Sequence, residues 1–206
     1  MNFYTNNKKR KLNTDSDEEN ETINSNMNIS TKGNNIYFYE SVYDTQILEL
    51  INQINDLKHK LKYHASLFNF EPIIHLHLYS YGGDAFMGLS MYDFITNCDI
   101  DIYTYIDGMI ASAATFIYLA GKKRFMTPNS TVLIHQISTS FWGKFEDLKD
   151  ECKNTTELMK IVRNLYSQNT SMKKKQIDEI LKRELYLTSD ECSKINFSTN
   201  NVSTNN

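Results

Sequence analysis

Between Ile36 and Phe197 the chain alternates short β-prone runs with segments of helical periodicity, and this alternation restricts the fold more than any other feature. "NIYFYE" reads as a strand and is followed by Ile47, Leu50, Ile51, Ile54, Leu57 and Leu61 at helical spacing. "IIHLHLY" (Ile73 to Tyr79) is a second strand, broken by Gly82-Gly83 before a helix predicted from Asp84 to about Asn97. "DIYTYI" (Asp101 to Ile106) leads through Gly108 into a helix starting near Ser112, and "TVLIH" (Thr131 to His135) is a fourth strand. Strands that alternate with helices predict an α/β protein whose parallel-type sheet is covered on its faces.

The flanks have a different composition. Residues 1–35, including "NTDSDEENETINSNMNISTKGNN", carry too little apolar surface to offset the entropy of ordering, so a disordered tail is expected there. The same bias returns in 198–206, which leaves one domain over 36–197. "KKRK", Lys8 to Lys11, reads either as a nuclear-import signal or as part of a solvated tail. With a formal charge of −3, the chain offers no electrostatic footprint for nucleic acid. Its three cysteines, Cys98, Cys152 and Cys192, are far apart and odd in number, which argues against a disulfide framework or metal site and for a reducing, cytoplasmic compartment. The longest apolar run, Met109 to Ala120, falls short of the roughly 18 residues that cross a bilayer, so a soluble protein is expected.

Beyond the fourth strand a long amphipathic helix is predicted from Gly143 to about Asn169. Its stripe is Leu148, Cys152, Thr155, Met159, Val162 and Tyr166, with Ile161 and Leu165 beside it. Such a helix either caps the core of its own domain or projects to pack against another subunit. A shorter helix, Lys173 to about Glu184, turns Ile177, Ile180 and Leu181 inward.

Functional groups in α/β proteins collect where strands end and helices begin, because helix N-termini present unpaired N–H groups. Two turns stand out. In "YSYGGDAF" the glycine pair lets a peptide N–H, that of Gly83, point into a cleft. In "GMIASAAT" small residues surround Ser112, and the Ala113 N–H lies beside the serine hydroxyl. A serine with two N–H groups has the parts of a nucleophile and oxyanion hole, although Ser112 also reads as a plain N-cap. His135 closes an apolar strand and shares the sheet end with Ser112 if the two strands run parallel, which supplies a base. His75 and His77 alternate on another strand and share one face, with no third ligand at metal spacing.

Four stretches, "IYFYESVYDTQILELI", "LYSYGGDAFMGLSMYDFI", "DGMIASAATFIYLAGKKRFMTPNSTVLIHQ" and "RELYLTSDEC", resemble the proteolytic subunit of the Clp protease, from about Asn35 to about Asn196. The resemblance implies a crotonase-like ββα spiral with a long handle helix, and a serine endopeptidase that cleaves unfolded polypeptides inside a homo-oligomeric ring stack. It matches Ser112 to the nucleophile, His135 to the base, Glu184 to the position of the family's triad aspartate, and Gly83 and Ala113 to the oxyanion donors. No metal or cofactor is implied, ATP being used by a partner unfoldase of the Clp AAA+ type. The chain departs from the pattern at several positions. Glu184 replaces the aspartate, Tyr81 a proline and Ala114 a glycine, and the family's C-terminal strand dissolves into Asn and Ser. These departures motivate an alternative, a catalytically silent ring or regulatory subunit. A third reading, a crotonase-type acyl-CoA enzyme, shares the paired N–H logic but lacks a basic cluster for a CoA phosphate.

Overall fold

The structure, a computed structural model, describes residues 28–201. The basic cluster Lys8 to Lys11 lies outside them. Four parallel strands form the spine of one sheet: β2 (Asn35–Phe38), β3 (Ile73–Ser80), β4 (Asp101–Ala111) and β5 (Lys123–Met126). Alternate residues of these strands point inward, so Ile36, Phe38, Ile74, Leu76, Leu78, Ile102 and Ile106 are buried. Helix α1 (Asp44–Phe68) returns the chain from β2 to β3 and buries Ile47, Leu50, Ile54 and Leu57, one face of its heptad-like spacing. Helix α2 (Ala85–Thr96) follows β3, with the Asp84 carboxylate accepting from the Met87 N–H at 2.9 Å as its cap.

The sequence-based expectation that β4 ends at Ile106 is incorrect. The strand continues through Asp107 and Gly108 to Ala111, and helix α3 (Ala114–Leu119) is only six residues long. The reason is a change of partner along one edge. Tyr103 to Ile106 pair with β5, whereas Met109 to Ala111 pair with β6 (Thr131–Leu133). Gly108, at φ 95°, makes the bend between them, and the register with β3 shifts between Leu78 and Ser80. Beyond β6 the chain forms α4 (Phe145–Asn169), α5 (Lys174–Leu181), β7 (Tyr186–Thr188) and α6 (Ser189–Lys194), and β7 pairs antiparallel with β6.

Two boundaries expected from composition also move. Ile29–Lys32, placed in the disordered tail, forms β1, a hairpin partner of β2 across the Gly33-Asn34 turn. Of its four residues only Ile29 is buried, so no alternation advertised it. At the other end Asn200–Asn201 pair parallel with Phe125 and Met126 as β8, so the C-terminal strand persists as a two-residue remnant rather than dissolving. Helix α5 stops at Leu181, which leaves Glu184 in the segment before β7.

Helix α4 divides its stripe. Met159, Val162, Leu165 and Tyr166 are buried in the domain, while Phe145 is 69% exposed and Leu148 40% exposed. The C-terminal half caps the core and the N-terminal half stands clear of it. On the face of the sheet opposite α1, His77 is stacked between Tyr37 at 4.7 Å and Tyr105 at 4.6 Å, and Tyr105 stacks in turn on Phe125 at 4.6 Å. The spacing is that of adjacent strands. His75 shares this face and its Nδ1 lies 2.8 Å from the Tyr105 hydroxyl.

Candidate active site

Ser112 occupies the sharp turn between β4 and α3. Its φ of 53° is left-handed, a conformation an L-residue adopts at a cost and that the surroundings must hold in place. They do so through the backbone. The Ser112 N–H donates to the Leu133 carbonyl at 3.0 Å, and the Ser112 carbonyl accepts from the Thr115 N–H at 2.9 Å. Helix α3 has Ala113 at its cap position and no side-chain cap, so the plain N-cap reading of Ser112 is incorrect. The strained strand-to-helix turn presents the hydroxyl at the sheet end, the geometry of a nucleophile elbow.

The glycine turn lies against this elbow. A Cβ on Gly82 would fall 2.6 Å from the Ala111 carbonyl oxygen and 3.1 Å from the Ala113 nitrogen, so only glycine permits the approach. Val42 bridges to Gly83 through the residues on either side of it, its N–H donating to the Gly82 carbonyl at 2.9 Å and its carbonyl accepting from Asp84 N–H at 2.7 Å. In a parallel bridge of this kind the Gly83 N–H points away from Val42, and Gly83 lines the neighbouring cavity. Among the described residues neither the Gly83 nor the Ala113 N–H has a backbone acceptor. Two free donors flanking a serine can hold a developing oxyanion.

His135 reaches the same cavity from the end of β6, because β4 and β6 run parallel in the register Ala111 to Leu133. Its Nδ1 lies 2.6 Å from the Gln136 carbonyl oxygen. A carbonyl can only accept, so Nδ1 carries the proton and the Nε2 lone pair is left to act as a base. No hydrogen bond joins His135 to the Ser112 hydroxyl or to a carboxylate among the described residues. Glu184 is exposed and outside the cavity lining. The antiparallel pairing of β6 and β7 runs from Thr131 with Thr188 to Leu133 with Tyr186; beyond it the Gln136 N–H donates to the Leu181 carbonyl at 2.8 Å, and Glu184 lies in the segment between these two contacts.

The cavity is about 630 Å³. It is lined by Gly83, Ser112 and His135, by Phe86 and Phe116, and by Leu158, Ile161 and Val162 of α4, which give it an apolar wall. The α4 stripe advertised an apolar face, but the sequence gives no sign of which residues of that face turn toward Ser112.

These features place a serine, a histidine and two unpartnered backbone N–H groups around one cavity of an α/β protein. The chain belongs to the Clp protease family: the family's sequence model, described as Clp protease, matches residues 18–200. Among solved structures, a ClpP1 mutant from Listeria monocytogenes is similar in fold, with a TM-score of 0.67 and 22% identity, over 84% of this chain and 93% of that one. The ββα fold expected from the resemblance is therefore present. No helix among the described residues is long and apolar enough to cross a membrane.

Proposed function

We propose that the chain is an active serine-type endopeptidase subunit. Ser112 Oγ attacks the scissile carbonyl carbon as its proton passes to His135 Nε2. The Gly83 and Ala113 N–H groups take the oxyanion, and the imidazolium returns the proton to the leaving amine. Water then repeats the sequence in reverse roles to free the acid. The observation that carries this reading is the pair of unpartnered N–H groups beside a left-handed serine in a cavity that also holds an imidazole with its Nδ1 proton fixed. The chemistry needs no metal or cofactor from this chain. Any ATP would be consumed by a partner unfoldase.

The exposed N-terminal half of α4 favours assembly into a homo-oligomeric ring stack, where a second copy would cover Phe145 and Leu148. Enclosure in such a chamber would restrict cleavage to unfolded polypeptide. We further propose that Glu184 takes over Nδ1 of His135 from the Gln136 carbonyl in the assembled state, since it lies in the short segment between the Gln136–Leu181 contact and the pairing of β7 with β6. The present Nδ1 partner gives the alternative its support, for a histidine held by a neutral carbonyl suits a silent ring subunit too.

A fluorophosphonate probe applied to assembled protein separates the two. Covalent labelling that Ser112→Ala and His135→Ala each abolish, together with hydrolysis of a fluorogenic peptide, is the expected result. Unlabelled wild-type protein in assembled form would establish the silent subunit.

A further inference from the structure

Two buried hydroxyls stand behind the nucleophile elbow, in a core where apolar side chains would pack as well. Thr115 is fully buried and Tyr166, on α4, is 1% exposed. Thr115 Oγ1 donates to the Ser112 carbonyl at 2.5 Å and lies 2.7 Å from the Tyr166 hydroxyl. The direction of the second bond follows from the first. A threonine hydroxyl has one proton, the Ser112 carbonyl can only accept it, and so the tyrosine must donate to Thr115. Burial pushes the Tyr166 phenol above the ordinary tyrosine range, an effect that its bond to Thr115 offsets only in part, so the phenol keeps its proton. The Tyr166 ring meets Phe116 edge-on at 6.0 Å, a contact a phenylalanine would make equally well. What the hydroxyl adds is the relay.

The relay ends on one specific peptide. The Ser112 carbonyl and the Ala113 N–H belong to the same planar trans unit and point in opposite directions. Anchoring the carbonyl in the core therefore aims the N–H into the cavity. We propose that Thr115 and Tyr166 are positioning residues, which through the chain Tyr166 O–H to Thr115 O–H to Ser112 C=O hold the Ala113 N–H in its oxyanion-binding direction. The inference rests on the serine-peptidase reading. It adds a tie between the handle helix and the site, since Tyr166 lies in the half of α4 that packs on the domain.

Thr115→Val and Tyr166→Phe remove the hydroxyls with little change of shape, and Thr115→Ser restores one of them. A donor aimed only at the transition state affects kcat more than KM, and loss of a whole oxyanion donor costs about 10²–10³ in kcat. Because the Thr115 N–H still holds the same carbonyl, kcat of each variant is expected to fall about tenfold or more with KM nearly unchanged, and Thr115→Ser to recover most of it. Amide exchange gives a readout independent of catalysis: the Thr115 and Phe116 N–H groups should exchange faster in Thr115→Val and at the wild-type rate in Thr115→Ser. If wild-type protein neither labels nor hydrolyses peptide, the peptidase reading fails while the exchange data still decide the relay. Wild-type kcat and exchange in both hydroxyl-less variants would overturn the proposal, and so would failure of Thr115→Ser to recover either.

Discussion

Ser112 and His135 show how local geometry sets the chemistry of single residues. At φ 53° the serine bears a cost of roughly 1 kcal/mol that glycine would not. Ser112→Gly should therefore lose all probe labelling yet match or exceed wild type in thermal stability, by up to about 1 kcal/mol, as a denaturant titration would read. At His135 the Gln136 carbonyl already sets the tautomer, a task that falls to the acid in most triads. In Glu184→Gln that carbonyl can resume the bond to Nδ1, so the variant is expected to forfeit only charge stabilisation of the imidazolium. Its kcat in assembled protein should drop about 10- to 100-fold, short of the ~10⁴-fold loss seen when removing an acid leaves the wrong tautomer. Unchanged turnover in Glu184→Gln would exclude Glu184 from the machinery.

At the scale of elements, α4 shows where the stripe read from sequence is misleading. Met159 and Val162 look like interface positions but belong to the domain's own core, at 9% and 1% exposure, so placing charge there should unfold the protein. The test of assembly belongs about three to five turns earlier, where Phe145→Glu with Leu148→Lys should leave the melting temperature intact and lower the mass seen in light scattering. An unchanged mass would mean that the exposed half of α4 is not the contact. Arg124 ties the same helix to the C-terminal segment. Its guanidinium, buried and with no carboxylate partner among the described residues, donates to the Asn169 and Asn196 carbonyls, each at 3.0 Å. Arg124→Met should cost about 2–3 kcal/mol in denaturant titrations, because two carbonyls lose a charged donor. Elements that bury one face were legible in the sequence: β2, β3, α1 and α2 begin and end near the expected residues. β1, held at the sheet edge mainly by backbone pairing, buries only Ile29 and has no side-chain period to read. The site divides in the same way. Ser112, His135, Gly83 and Ala113 sit at strand-to-helix turns and strand ends flagged by small residues and β-prone runs, whereas the place of Glu184 depends on how the chain between α5 and β7 runs past His135, and the Thr115–Tyr166 bond joins segments far apart in sequence.

For the molecule as a whole, acid should act in two steps. Burial, aided by the neighbouring His77, holds His75 below the ordinary histidine value of 6.5. The unfolded chain therefore takes up this proton first, and stability falls as pH drops from about 6.5 toward the folded-state value. Asp107 is pushed up by burial, but hydrogen bonds from His77 at 2.9 Å and Tyr39 at 2.7 Å outweigh this and hold it below its ordinary 3.8. Its contribution is complete above 3.8 and is lost as pH falls through the folded-state value. Both groups lie on the aromatic face of the sheet. Melting temperature should thus fall from pH 7 to pH 5, and His75→Gln should flatten that first decline while leaving the second; an equal decline in His75→Gln would assign it elsewhere.

The pairing of β7 with β6 also fixes a timetable. On the ribosome the segments that carry Ser112 and His135 emerge before the segment that carries Glu184 and before β7, which pairs back onto β6. A nascent chain holds a serine and an imidazole, with neither the returning carboxylate nor the sealing contact of β8 on β5. A chain truncated before Glu184 therefore leaves behind a fragment that has Ser112 and His135 but neither this carboxylate nor β7.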